Sequence, residues 1–134
     1  MPVEDVVVRH HSHVPSKGRH QPVTSYRIQV SPDFDFAAVE AIVPYLASLG
    51  ITDVFFSPIL QAAPGSMHGY DVVDHERISA DLGGIEAFRS VSRAIHDTGM
   101  HLIVDIVPNH MAVPTPLYRN RALWSALRLS LIHI

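Results

Sequence analysis

Two short runs of this 134-residue chain concentrate side chains able to do chemistry. The first is Gly65-Ser66-Met67-His68-Gly69-Tyr70-Asp71. Glycines at 65 and 69 permit backbone turns that a Cβ forbids. Tyr70 offers a flat aromatic face with a polar tip, a shape that suits the apolar C–H face of a pyranose. His68 and Asp71 can donate to or accept from sugar hydroxyls. The same spacing also fits a tight loop with a packed tyrosine and locally capping aspartates. On spacing alone that plainer reading stands first.

The second run is Asp105-Ile106-Val107-Pro108-Asn109-His110. Asp105 lies within a stretch that is otherwise apolar, and a carboxylate in such surroundings must be paired or hydrogen-bonded. A histidine beside aspartate and asparagine can orient a substrate or move a proton, because its pKa is readily tuned. Two other readings stay open: a structural Asp105 paired elsewhere with an ordinary loop His110, and Asp105 with Asn109 as oxygen ligands for calcium. The second is the weaker, since no acidic run lies nearby. The histidines at 75, 96, 101 and 133 read as satisfied surface or core groups, and no metal site is expected.

The elements that must position these runs follow from periodicity. Tyr26 to Val30 reads as a short alternating strand. Asp33 and Asp35 can both cap a helix, and Val39, Ile42, Leu46 and Leu49 fall at helical spacing up to Gly50. Pro44 inside that helix predicts a kink or a restart. Thr52 to Ser57 is an apolar run bounded by Gly50 and Pro58, as in a strand covered on both faces. Pro58 to Gly84 reads as one long working loop. Ile85, Phe88, Val91 and Ile95 mark a second helix ending at Gly99, and Met100 to Val107 a third strand with Asp105 inside it. Helix, glycine, strand and proline thus occur twice in the same order, which predicts a βαβαβ unit with a parallel sheet. A complete flavodoxin-like domain remains an alternative. No Gly-x-Gly-x-x-Gly follows the first strand, which argues against dinucleotide binding.

Composition narrows the function classes. Hydrophobic residues at 47% against 17% charged give a folded core. A net charge of −3 leaves no basic footprint for nucleic acid. No apolar stretch is long enough to span a bilayer. With no cysteine, disulfide and thiolate chemistry are excluded, which agrees with a cytoplasmic location. Residues 1–23, with His10, His11, His13 and His20, show no period and are expected to form a mobile extension.

In order and wording, these runs resemble a known family. Asp105-Ile-Val-Pro-Asn109-His110 is similar to the first shared region of the α-amylase superfamily, at the end of the third barrel strand, and Gly69-Tyr70-Asp71 to the motif after strand two. The stretches Thr24–Gln29, Ser57–Ser66, His68–His75, Leu82–Gly84 and Asp105–Pro114 resemble the malto-oligosyltrehalose synthases within it. Met67 stands where that group usually has threonine. The resemblance covers about Thr24 to Leu127, and it implies the N-terminal βαβαβ part of a (β/α)₈ barrel over residues 24–128. It implies that Tyr70 stacks on a substrate sugar and that His68, Asp71, Asn109 and His110 contact it. Asp105 then orients the groups around it.

The family's nucleophile, acid/base and third aspartate come from strands four, five and seven, so no catalytic residue is expected within this chain. The implied reaction turns the reducing-end α-1,4 linkage of a malto-oligosaccharide into α,α-1,1, with no cofactor, in an enzyme expected to be monomeric when whole. A hydrolytic α-amylase or α-glucosidase and a non-catalytic glucan-binding barrel are the rivals. Residues 129–134 depart from the family's wording and are expected to be a non-native tail.

Overall fold

The computed structural model describes residues 20–129. The expectations for residues 1–19 and 130–134, including those for His10, His11 and His13 and for most of the expected non-native tail, lie outside the described residues, whereas His20 is described and bonds Asp53. Three parallel strands form the frame: β1 (Ser25–Ile28), β2 (Asp53–Phe56) and β5 (His101–Val104), in the order β1-β2-β5. Helix α1 (Phe36–Ser48) connects β1 to β2, and α2 (Gly84–Asp97) precedes β5. This is the expected βαβαβ arrangement.

Local chemistry explains both helices. Asp35 caps α1, its Oδ1 accepting from the Ala38 N–H at 3.0 Å. Gly50 and Gly99 follow the helices at φ +76° and +81°, the left-handed conformation in which glycine stops a helix. Pro44 neither ends nor restarts α1, which is one helix through it. Its missing N–H weakens the ladder, but Val39, Val43 and Leu46 are fully buried on the same helix and hold it in place.

The core lies between the helices and one face of the sheet. Ile28, Val54 and Phe56 meet Phe36, Val39, Leu46, Val91 and Ile95, with Leu102 and Val104 packed against them. The Phe36 ring lies 6.0 Å from that of Phe56 and 5.5 Å from that of Phe88, within the range of favourable aromatic pairs.

Two expectations need correction. The segment Pro58 to Gly84 is not one long loop. It holds an antiparallel pair, β3 (Leu60–Ala62) with β4 (Val72–Ile78), followed by a 3₁₀ turn at Ala80–Leu82. The third strand is also shorter than Met100 to Val107. It ends at Val104, so Asp105 stands just past it, although the Asp105 N–H still donates to the Phe56 carbonyl at 2.9 Å. Beyond Val104 the alternation fails: Ile106 is exposed and Val107 buried. A further helix, α3 (Arg121–Arg128), is capped by Asn120, whose Oδ1 accepts from the Leu123 N–H at 2.9 Å. Asn120 is buried, and its Nδ2 donates to the Ala112 carbonyl, tying α3 to the segment after β5.

Candidate substrate site at the strand ends

Parallel strands place their C-terminal ends on one rim, and both chemical runs leave from that rim. The Tyr70 loop is built by its own backbone needs. Gly69 sits at φ +77°, where an added Cβ would run into the Pro58 carbonyl oxygen, so only glycine fits. The Ser66 hydroxyl donates to Asp71 Oδ1 and accepts from the Gly69 N–H at 3.1 Å. Asp71 therefore fixes the loop as well as facing it.

Tyr70 is the centre of the arrangement. Its hydroxyl donates to Asp105 Oδ2 at 2.6 Å and accepts from Arg27 Nη2 at 3.2 Å. A phenol between a carboxylate and a guanidinium is held at its tip by charge-assisted hydrogen bonds, and its ring direction is fixed. His110 closes the other side: Nε2 donates to the Tyr70 carbonyl at 3.2 Å, and Nδ1 lies 3.1 Å from Asn109 Oδ1. His68 Nδ1 accepts from the Tyr70 N–H at 3.0 Å. An accepting Nδ1 leaves the Nε2–H of this exposed ring as its donor. The His68 and Tyr70 rings lie 6.0 Å apart and 29° from parallel.

The structure thus brings His68, Tyr70, Asp71, Asp105, Asn109 and His110 to one rim. His68, Asn109 and His110 are exposed, and Tyr70, Asp71 and Asp105 half-buried. Two contributors were not foreseen. Arg27 reaches Tyr70 from the end of β1, and Gln29 donates to the Met67 carbonyl at 3.3 Å. The signal was present, since Arg27 and Gln29 are polar residues two apart at the end of a strand, on the face opposite Ile28. His75, read as a satisfied group, does bond locally, its Nε2 donating to the Val107 carbonyl at 2.9 Å.

Electrostatically, the neighbouring β4 carries Asp74. The Glu76 N–H holds its carboxyl below the usual range. Partial burial opposes this, and the Arg77 guanidinium at 2.9 Å adds to it. Of the two oxygen-bearing residues weighed for calcium, Asp105 uses Oδ2 to accept from Tyr70 and Asn109 sets Oδ1 against His110 Nδ1. Among the described residues, the one grouping of three ligand-type side chains, His20, Asp53 and His101, lies elsewhere, at the N-terminal ends of the strands. No helix among the described residues is long and apolar enough to cross a membrane.

Comparison with known proteins shows the family of the chain. A protein of Mycobacterium tuberculosis (strain CDC 1551 / Oshkosh) described as a maltooligosyl trehalose synthase is 40% identical over 111 residues, 79% of this chain and 14% of that protein. The maltooligosyltrehalose synthase structure from Arthrobacter ramosus is 48% identical with a TM-score of 0.76, over 79% of this chain and 14% of that one. An alpha-glucosidase of Pediococcus pentosaceus is 34% identical over 86 residues, 64% of this chain and 15% of that enzyme. The chain thus spans about one seventh of the relatives it matches. The family description "Alpha amylase, catalytic domain" matches residues 31–122, which contain β2 to β5 and the whole Tyr70–His110 rim, and the chain belongs to the α-amylase family.

Proposed function

We propose that this chain is the first part of the catalytic barrel of a malto-oligosyltrehalose synthase. In the parent enzyme the reducing-end α-1,4 linkage of a malto-oligosaccharide is rebuilt as α,α-1,1. The observation that carries the reading is the Tyr70 hydroxyl pinned between Asp105 and Arg27 with His110 against the Tyr70 backbone. An aromatic plate held this way can stack on a sugar without first being ordered, which lowers the entropy lost on binding. The free Nε2–H of His68 then addresses the sugar's hydroxyls, and His110 reaches them by exchanging one of its two present partners, the Tyr70 carbonyl or Asn109, for a hydroxyl. Asn109 orients His110, Asp71 supports the loop and the sugar, and Asp105 positions Tyr70.

The chemical step needs two carboxylates about 5–5.5 Å apart, one forming a glycosyl-enzyme and the other protonating the leaving oxygen. The family resemblance assigns both to strands other than these three. The freed glucose turns and attacks the intermediate through its anomeric hydroxyl, in place of water. Excluding water then decides between isomerase and hydrolase. The parent is proposed to be a monomeric cytoplasmic enzyme needing no cofactor, and residues 24–128 its first barrel segment, between a short extension and a non-native tail.

The test is product analysis from maltopentaose in a longer protein carrying this segment. A non-reducing pentasaccharide without released glucose is the expected outcome. Steady release of reducing sugar would make the parent a hydrolase, the second reading, which the 34% identity to an alpha-glucosidase favours. Binding without turnover would leave a glucan-binding barrel. The 134-residue chain by itself is expected to give no turnover.

A further inference from the structure

The opposite end of the same sheet face carries a second cluster. Ser25, Asp53 and His101 stand in register across β1, β2 and β5, at the strands' N-terminal ends. His20 joins them from the segment before β1, its Nε2–H donating to Asp53 Oδ1 at 2.7 Å. The rings of His20 and His101 stack with centroids 3.4 Å apart and 14° between their planes. One ligand-type atom from each of the three residues lies within 4.8 Å of the others. Asp53 is 1% exposed, and His101 Nδ1 is buried without a hydrogen-bond partner.

We propose that His20, Asp53 and His101 form a binding site for a zinc-type divalent cation, which clasps the segment before β1 to the starts of β2 and β5. Charge is the first argument. A buried carboxylate needs a countercharge; the Thr52 hydroxyl donates to Asp53 Oδ2, but that group is neutral, and the ring groups beside the carboxylate are the imidazoles of His20 and His101. Stacked face to face, these rings repel if both are protonated. If both are neutral they offer lone pairs and no charge. A dication supplies the charge and takes up the lone pairs, including that of a nitrogen left without a partner.

Donor chemistry is the second argument. Two imidazoles and one carboxylate suit Zn²⁺, whereas Mg²⁺ and Ca²⁺ ask for oxygen ligands. Zinc bonds of about 2.0–2.2 Å require ligand atoms closer than they now stand. The ring of His20, on a segment outside the strands and partly exposed, can tilt to meet an ion. The fourth tetrahedral position is open to water. His96, edge-on to His101 at 6.4 Å, donates its Nδ1–H to the Ser92 carbonyl at 2.6 Å and is not among the residues whose ligand atoms converge. The N-terminal face of a parallel barrel serves stability, not catalysis, so the ion's role is structural.

Co²⁺, which reports its geometry by visible absorption, is the probe, titrated into the chelator-treated 134-residue chain. One equivalent should give the intense bands of a tetrahedral site and be displaced by Zn²⁺, and Zn²⁺ should raise the melting temperature. Asp53→Asn and His101→Gln should weaken Co²⁺ binding on the order of tenfold or more. Replacing His10, His11 and His13 together by Ala should leave it unchanged. His20→Ala removes a ligand from outside the strands, so it keeps the fold and still must lose the tetrahedral spectrum. An octahedral spectrum, binding that survives His20→Ala, or binding lost with the His10/His11/His13 variant would each overturn the proposal.

Discussion

Phe55 and Phe56 are neighbours in sequence and of one residue type, yet they serve opposite faces of β2. Phe56 is fully buried under α1 and α2 with Val54, whereas Phe55 is half-buried on the other face between Arg27 of β1 and Ile103 of β5. The helix-covered face is apolar from end to end. The other face is apolar only in the middle: Asp53 and His101 mark its start, and Arg27 and Asp105 reach Tyr70 at its finish. One face supplies the core and the other the chemistry. A strand that looks uniformly hydrophobic is divided between these tasks by the two-residue alternation of its side chains.

The sharpest way to break this division is to truncate each phenylalanine in turn. Phe56→Ala should cost about 3–5 kcal/mol, as expected for emptying a closed aromatic site. Phe55→Ala in the same chain should cost less than half of that, because its surroundings are already part solvent. Urea denaturation of the two variants gives the comparison directly. Equal losses would mean that the second face is as much a packed core as the first.

The chemical face is tested by activity in a longer protein carrying this segment. Tyr70→Ala removes a stacking surface of about 0.5–1.5 kcal/mol beyond simple burial, so kcat/KM on malto-oligosaccharides should fall several-fold to tenfold or more. Tyr70→Phe keeps the ring but releases Asp105 and Arg27, and should fall between the variant and the parent. If Tyr70→Ala folds with unchanged kinetics, the ring is a packing residue only, as its loop spacing alone allowed.

How much of this could be read in the sequence depends on how regular each element is. Helices α1 and α2 carry continuous apolar stripes closed by Gly50 and Gly99, and the three parallel strands are short apolar runs between turn residues, so periodicity located all five. The β3–β4 pair escaped because it has no clean period: the register shifts on both sides of Gln61, and β4 reads Val-Val-Asp-His-Glu-Arg-Ile with its two buried valines adjacent. Helix α3 escaped because none of its residues is buried, although Asn120 offered a cap. At the rim, the Tyr70 and His110 runs stood out by residue type, and the structure brings them into contact. Arg27 did not, since its role depends on Tyr70 some forty residues away. Asp53 and His101 were hidden for the same reason. Each is one polar residue at the start of an apolar strand, and only strand pairing sets them side by side.

The helix-covered face also rests on local caps, and these effects are smaller. Asp35→Ala frees the Ala38 N–H at the start of α1. It should reduce stability by about 1 kcal/mol without changing kcat/KM in the parent, because α1 lies behind the sheet and away from the rim. A change in kinetics matching the loss of stability would show that the two faces are not independent.

The smallest expected effect concerns Asp74, on β4 beside the rim. The Glu76 N–H and the Arg77 guanidinium favour its charged form and outweigh partial burial, so its carboxyl titrates below the ordinary value of about 3.9. A carboxylate with a lowered folded-state pKa contributes stability that is fully present above the unfolded pKa and fades as pH falls through the folded one. Asp74 should therefore add to stability from neutral pH down to about pH 4, and its share should disappear in more acid solution. The Arg77 partner is largely exposed, so salt should weaken the contribution. Asp74→Asn keeps the shape and removes the charge: urea midpoints of variant and parent should differ near pH 7 and converge on acidification. A gap that stays constant from pH 7 to strong acid would show that Asp74 acts through hydrogen-bond geometry alone, and that charge near the rim does no structural work on β4.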